Sequence, residues 1–263
     1  MDKVISADGT PIAYEAVGDG PVVLLVGGAF CDHHATAELA AALATDFTAV
    51  SYDRRGRGES GDTLPYAVDR EIADIEALIR HFGDRAVLYG ISSGAALCLL
   101  AAAAGAPVDA VAELEPPYRV GADAPRVPAG YTDTLVELTS TGRRGDAVAF
   151  FMTEAVGQPP EAVEQARKLP MWPGLEAMAH TLAYDAHVMG GDPSALPERM
   201  LAAFPVPVLA VHSNASPEWL AGGATTVAET VPDGRLVALD GGFHEVPAAT
   251  LAPVLREFYQ RVR

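Results

Sequence analysis

The stretch AVLYGISSGAAL, residues 86–97, decides how this sequence is read. An apolar, strand-like run ends at Ile91, and small, helix-compatible residues begin at Gly94. Two serines stand at the join, and Gly90-Ile91-Ser92-Ser93-Gly94 fits G-x-S-x-G with Ser92 at the centre. Centred on Ser93 the pattern fails, because Ile91 and Ala95 occupy the glycine positions. The spacing has a steric reason. A strand that turns sharply into a helix holds its central residue in strained backbone, and side chains two positions to either side would collide. Glycine at both positions relieves the collision and leaves the Ser92 hydroxyl exposed above the sheet. There, at a helix N-terminus, unpaired N–H groups and a positive dipole end face developing negative charge. A serine cap on an ordinary helix would explain the pentapeptide alone. The strand before it and the helix after it favour a nucleophile.

Working outward, strand and helix signals alternate. KVISA (3–7), PIAYEAVG (11–18), PVVLLVG (21–27), FTAVSYD (47–53) and VDAVAELE (108–115) read as strands. ATAELAAALA (35–44), AVDREIADIEALIRHFG (67–83, closed by Gly83) and SGAALCLLAAAAG (93–105, stopped by Gly105) read as helices. PVVLLVG is apolar without interruption, as in a strand covered on both faces. This order predicts an α/β fold, a parallel sheet with helices on both sides. From Pro117 to Pro205 the strand signal stops. The helical candidates there are GDAVAFFMTEAVG (145–157), PEAVEQARKL (160–169), PGLEAMAHTLAYDAHVMGG (173–191) and PSALPERMLAAF (193–204). Strands resume with VPVLAVHS (206–213) and GRLVALD (234–240), followed by helices SPEWLAGGATTVAETV (216–231) and PAATLAPVLREFYQRV (247–262). The division is therefore a core of residues 1–116 and 205–263, with residues 117–204 inserted as a helical cap over the sheet's C-terminal edge, where open α/β sheets bind ligands.

Composition narrows the function classes. A chain of 263 residues, 49% hydrophobic and 20% charged, has the make-up of a soluble globular protein with a sizeable core. Its net charge of −17 repels a nucleic-acid backbone and an anionic membrane face, so the expected partner is a small molecule. The reading is compatible with a homodimer. The N-terminus shows no secretory h-region, and the small, apolar run Ala95–Ala104 is about half of a bilayer span. Cys31 and Cys98, without C-x-x-C spacing, read as free thiols in a reducing cytoplasm.

With these residues in place the chain resembles the α/β-hydrolase superfamily, in particular its small esterase and haloperoxidase-like members. VGGAF (26–30), YDRRGRGES (52–60) and GGFH (241–244) carry the resemblance beside the serine turn. It implies an eight-stranded, mostly parallel sheet, a serine–histidine–acid triad and no cofactor. His244, after the last strand and the pair Gly241-Gly242, is the expected base, since the serine-first, histidine-last order is the superfamily's. Gly27 stands where such proteins often have histidine, but the donors needed are backbone N–H groups. Those of Ala29 and Ser93 are assigned to the oxyanion, with Phe30 walling the pocket. Asp53 reads as architectural, tied to guanidinium or backbone N–H groups. Asp32-His33-His34 has no further ligand clustered with it in sequence, and Asp32 reads as a helix N-cap, so no metal is expected.

The acid departs from the common pattern. After the seventh strand the chain reads His212-Ser213-Asn214-Ala215-Ser216-Pro217, so Ser216 replaces the usual carboxylate. Ser216 reads instead as a helix N-cap with Pro217 at the first helical position. Glu115, at the end of the sixth strand, is the candidate acid, a position that one branch of the haloalkane dehalogenases uses. The alternatives left open are a Ser–His dyad, an inactive remnant, or a Glu115 that only anchors the cap.

The cap's Met152, Met171, Trp172, Met178, Met189, Phe150, Phe151 and Tyr184 suit either an adaptable apolar pocket or the cap's own core. His180 and His187 share a helical face, and no arginine pair is arranged for a dicarboxylate or phosphate. The expected substrate is a small-to-medium, mostly apolar ester, thioester or lactone. A non-hydrolytic lyase or cyclase, and a catalytically silent ligand-binding protein, remain the competing classes, because fold alone does not decide. The aspartate nucleophile of epoxide hydrolases is absent at position 92.

Overall fold

In a computed structural model, which describes residues 1–121, 124–191 and 195–262, the strands pair into one eight-stranded sheet. They are β1 (Asp2–Ile5), β2 (Pro11–Val17), β3 (Val22–Val26), β4 (Thr48–Tyr52), β5 (Ala86–Ile91), β6 (Val108–Leu114), β7 (Val208–Ser213) and β8 (Gly234–Leu239). Across the sheet the order is β1-β2-β4-β3-β5-β6-β7-β8. β2 pairs antiparallel with both β1 and β4, and every pairing from β4 through β8 is parallel. The chain builds outward from β3 to β4, then crosses back to lay β5 on the other side of β3. That reversal opens a crevice at the strands' C-terminal ends. Val26 stands opposite Gly90, Ile91 opposite Leu114, and Leu114 opposite Val211, so the turns that follow these strands emerge at one edge.

β3 shows why its run is apolar throughout. Val22, Leu24 and Val26 enter one core with α2 (Val68–Phe82) and α3 (Ser93–Ala103), while Val23 and Leu25 enter a second core with α1 (Ala37–Leu43) and α11 (Ala248–Arg261). α3 is buried along nearly its whole length, and its alanines let it lie close on the sheet. α2 ends at Gly83, whose backbone is extended there, and α10 (Glu218–Thr230) packs on β7 and β8.

Between β6 and β7 the described residues form α4 (Tyr131–Ser140), α5 (Arg144–Phe150), α6 (Pro160–Ala166), α7 (Trp172–Met178), α8 (Leu182–Val188) and α9 (Glu198–Leu201). A third apolar cluster belongs to this segment, with Leu135, Val148, Trp172 and Leu182 at its centre, and α8 also packs on α2 and α3. Three sequence expectations change here. α4 was not anticipated, because its threonines and valine disguise the helical period. The helix expected over 145–157 continues from α5 as a π-helical turn, Phe151–Ala155. The helix expected over 193–204 is reduced to α9, and its Pro193 and Ser194 lie outside the described residues. Among the described residues no helix is long and apolar enough to cross a membrane.

Candidate active site

Ser92 sits between β5 and α3 with φ 60° and ψ −128°, a left-handed geometry unusual for a residue with a side chain. Its N–H donates to the Leu114 carbonyl at 2.9 Å, pinning the turn to β6. Both flanking glycines are required by space. A Cβ on Gly90 would stand 2.5 Å from the Gly94 carbonyl oxygen, and one on Gly94 would stand 2.3 Å from that of Val26. Gly28 faces the serine directly, since a Cβ there would meet the Ser92 Cβ at 2.7 Å. Beside it Phe30 also holds positive φ, 59°, and its ring meets Phe151 edge-on at 5.4 Å. Among the described residues the N–H groups of Ala29 and Ser93 donate to no protein acceptor, although both residues line the cavity that Ser92 faces.

His244, which lines the same cavity as Ser92, pairs with Glu115. The His244 Nδ1 lies 2.7 Å from Glu115 Oε2, and the other carboxylate oxygen, Oε1, accepts the Ser213 N–H at 2.7 Å. Both residues have positive φ, 53° for His244 and 48° for Glu115, so each side chain is aimed by a strained turn. Burial works to raise the Glu115 carboxyl, but hydrogen bonds from His244, Ser216 and the Ser213 N–H hold it below the ordinary glutamate range. An ionised carboxylate only accepts, so the hydrogen bond between them is donated by Nδ1.

Ser216 is not the helix cap expected from sequence. Pro217 holds the N-cap position of α10 without a side-chain bond. The Ser216 hydroxyl instead accepts the His244 N–H at 2.9 Å while contributing a hydrogen bond to Glu115. It braces the histidine and the carboxylate at once.

A buried ionic cluster underlies the opposite side. Arg54 forms two 2.7 Å bonds with Glu71, and Arg57 reaches both oxygens of Asp185 at 2.8 Å. Asp185, on α8, also accepts from Arg54 at 2.8 Å and from the Ser93 hydroxyl at 2.7 Å. Arg57 further donates to the Gly28 carbonyl. Burial works to raise the Asp185 carboxyl, yet Arg57, Arg54 and the Ser93 hydroxyl together hold it below the usual range. These two guanidiniums and two carboxylates balance in charge, which makes their burial tolerable. Nothing in the local pattern marks Asp185. A lone aspartate in a helical stretch reads as surface, and only the packing of α8 on the core brings it to the arginines.

The cavity measures about 230 Å³. Ala29, Phe30, Ser92, Ser93 and His244, all expected at the site, line it together with Asp185, and Glu115 lies behind His244. Of the expected pocket hydrophobics, Phe151 and Met189 reach the cavity. Trp172 belongs to the third apolar cluster, Met171 is exposed, and Tyr184 stacks on Tyr66. Neither His180 nor His187 lines the cavity: His180 faces Asp62, and His187 is exposed. Asp53 accepts from the His33 and Glu59 N–H groups and pairs with the His33 ring nitrogen, so of the two kinds of partner expected it is the backbone N–H groups that hold it among the described residues. Asp32 caps the short helical turn His33–Thr36 by accepting the His34 N–H. Burial pushes the Cys31 and Cys98 thiols up, and both cysteines are free.

Comparison with known proteins adds the family. The model of the alpha/beta hydrolase family matches residues 22–257. An alpha/beta hydrolase from Sphaerobacter thermophilus is 50% identical, with a TM-score of 0.92 over 98% of this chain and 100% of its own. A thermophilic esterase from Thermogutta terrifontis superposes with a TM-score of 0.73 at 20% identity, covering 99% of this chain and 98% of its own. The uncharacterized hydrolase YraK of Bacillus subtilis is 33% identical over 99 residues, a match covering 36% of this chain and 36% of that protein's length.

Proposed function

This chain belongs to the alpha/beta hydrolase family, and from that premise we propose that it cleaves a small-to-medium ester, thioester or lactone through an acyl-enzyme on Ser92. The 2.7 Å contact between His244 Nδ1 and Glu115 carries the reading, because it leaves Nε2 free as the base. Nε2 takes the Ser92 hydroxyl proton as Oγ attacks the carbonyl carbon. The carbonyl oxygen becomes an oxyanion held by the Ala29 and Ser93 N–H groups. Collapse breaks the bond to the leaving oxygen or sulfur, which takes the proton from His244. Water then gives its proton to the same nitrogen, attacks the acyl carbon, and releases the acid with Ser92 restored. Glu115 keeps its negative charge throughout and stabilises the imidazolium.

Glu115, directly after β6, stands in for the carboxylate missing at position 216, the feature that favours a silent or non-hydrolytic relative. Residues 117–204 act in this reading as the cap, closing the cavity over the sheet edge and excluding water. A fluorophosphonate probe with intact-mass readout tests the proposal. Stoichiometric labelling of the parent protein, none of Ser92→Ala, and turnover of short p-nitrophenyl esters are expected. Labelling without ester turnover would point to non-hydrolytic chemistry, and no labelling near neutral pH would reject the nucleophile.

A further inference from the structure

The arginines drawn into this molecule differ in one respect. Arg54, Arg55 and Arg57 are each fully buried, and each holds carboxylate oxygens at 2.7–3.0 Å. Arg119, just after β6, is half-buried and lines the cavity, yet among the described residues it has no carboxylate partner. Its Nη1 donates to the Pro125 carbonyl and its Nη2 to that of Ala155 at 3.2 Å. Its buried Nε has no partner among the described residues. The guanidinium lies 5.9 Å from the ring centroid of Trp219, another wall of the cavity. Carbonyl dipoles and an aromatic face orient a cation but do not neutralise it.

The electrostatic consequence follows from what else lines the space. Asp185 is the carboxylate among the lining residues, and Arg54 and Arg57 already neutralise it. The rest of the wall is mostly apolar. Among the described residues Arg119 therefore brings to the cavity a positive charge with no carboxylate partner, in a chain whose net charge is −17. Burial lowers the Arg119 guanidinium, whereas the paired acids hold Arg54 and Arg55 above their ordinary range. A cation in an apolar cavity attracts an anion far more strongly than one at the surface.

We infer that Arg119 anchors a carboxylate carried by the substrate itself, so that the molecule cleaved at Ser92 is an acid-bearing ester, thioester or lactone with an apolar spacer packed beside Trp219. With Nη1 and Nη2 each already donating once, the fork has donors left for one planar carboxylate. The bond that breaks is the one proposed above and rests on that reading. The charge preference does not.

Binding to Ser92→Ala, which removes turnover, separates the two. The probes are monomethyl glutarate and its neutral counterpart dimethyl glutarate, measured by titration calorimetry near neutral pH at low and high salt. The monoacid should bind at least about tenfold tighter than the diester, and the gap should narrow with salt. Adding Arg119→Met, which keeps a long unbranched side chain without charge, should abolish the gap while the diester's affinity holds. Arg119→Lys should keep part of it, and carries the comparison if the Met variant fails to fold. Equal affinity for the two probes, no detectable binding of the monoacid, or an equal loss for both in Arg119→Met would overturn the inference and leave Arg119 as a strut between residues 125 and 155. Failure of the parent protein to turn over p-nitrophenyl esters would strike the acyl-transfer reading alone.

Discussion

Asp185 accepts a hydrogen bond from the Ser93 hydroxyl at 2.7 Å across 92 residues of sequence, fastening α8 to the turn that holds Ser92. The same carboxylate neutralises Arg57, which in turn holds the Gly28 carbonyl. Both backbone segments assigned to the oxyanion thus hang from one buried charge.

Asp185→Asn keeps the shape and removes that charge. It leaves Arg57 without a carboxylate, and breaking a buried pair in this way costs about 3–5 kcal/mol. The thermal midpoint should fall by roughly 10 °C, and kcat on a p-nitrophenyl ester should drop at least about tenfold as the donors loosen. Thermal unfolding and steady-state kinetics check both; an unchanged midpoint would mean that the cluster does not fasten the segment.

Glu115→Gln should lower kcat by about 10²–10⁴ with little change in KM, because a neutral amide neither fixes the Nδ1 proton nor stabilises the imidazolium. The stability effect has a definite sign. The folded carboxyl is held below its unfolded range, so its contribution is present at neutral pH and disappears as pH falls through the folded value. Acid unfolding curves of the variant should therefore be flatter than the parent's in that window.

Ser216→Asp puts a carboxylate where the family resemblance leads one to expect it, and by itself it should harm. Two acids would then crowd one imidazole, and like charge raises the pKa of one of them. In the Glu115→Gln background the same change should recover about tenfold of the lost kcat. Comparing the single and double variants measures the coupling directly.

Glu113 offers a prediction away from the chemistry. It is fully buried on β6, and neither carboxylate oxygen has a partner among the described residues. Burial, aided by the nearby Glu115, pushes its carboxyl well above the ordinary range. The folded state thus retains a proton that the unfolded state releases, and stability falls as pH rises above the unfolded value near 4.5. Glu113→Met should stabilise the protein by about 1–3 kcal/mol at neutral pH and flatten that decline. Denaturant melts across pH would detect it, and an unaltered slope would mean that Glu113 is solvated or paired in solution.

Much of this was legible in the one-dimensional pattern because local rules are strict there. Gly90 and Gly94 announce the sharp turn, the unbroken Val22–Val26 run announces a strand covered on both faces, and Gly241-Gly242 announces the loop bearing His244. The insertion between strands was visible for the same reason, though α4 was hidden by its β-branched residues. What sequence could not convey was pairing across distance. Ser216 looked like a cap because Ser-Pro-Glu fits one, while its hydroxyl turns to partners from two other segments. Asp185 and Arg119 carry no local signature, and the motif that holds Arg54 does not name its partners; their meaning lies in which charges are paired once the chain has folded.

The ionic seam under α8 also bears on how traffic reaches the interior. Lifting that helix as a hinged lid would part Asp185 from both guanidiniums and leave Arg57 without a carboxylate, while Arg54 keeps Glu71, at several kcal/mol for each unpaired ion. Away from that seam Phe243 stands 49% exposed beside His244 and shares the cavity wall with Trp219. A route past that aromatic edge, with α8 kept in its ionic seat, is the one that this pairing favours.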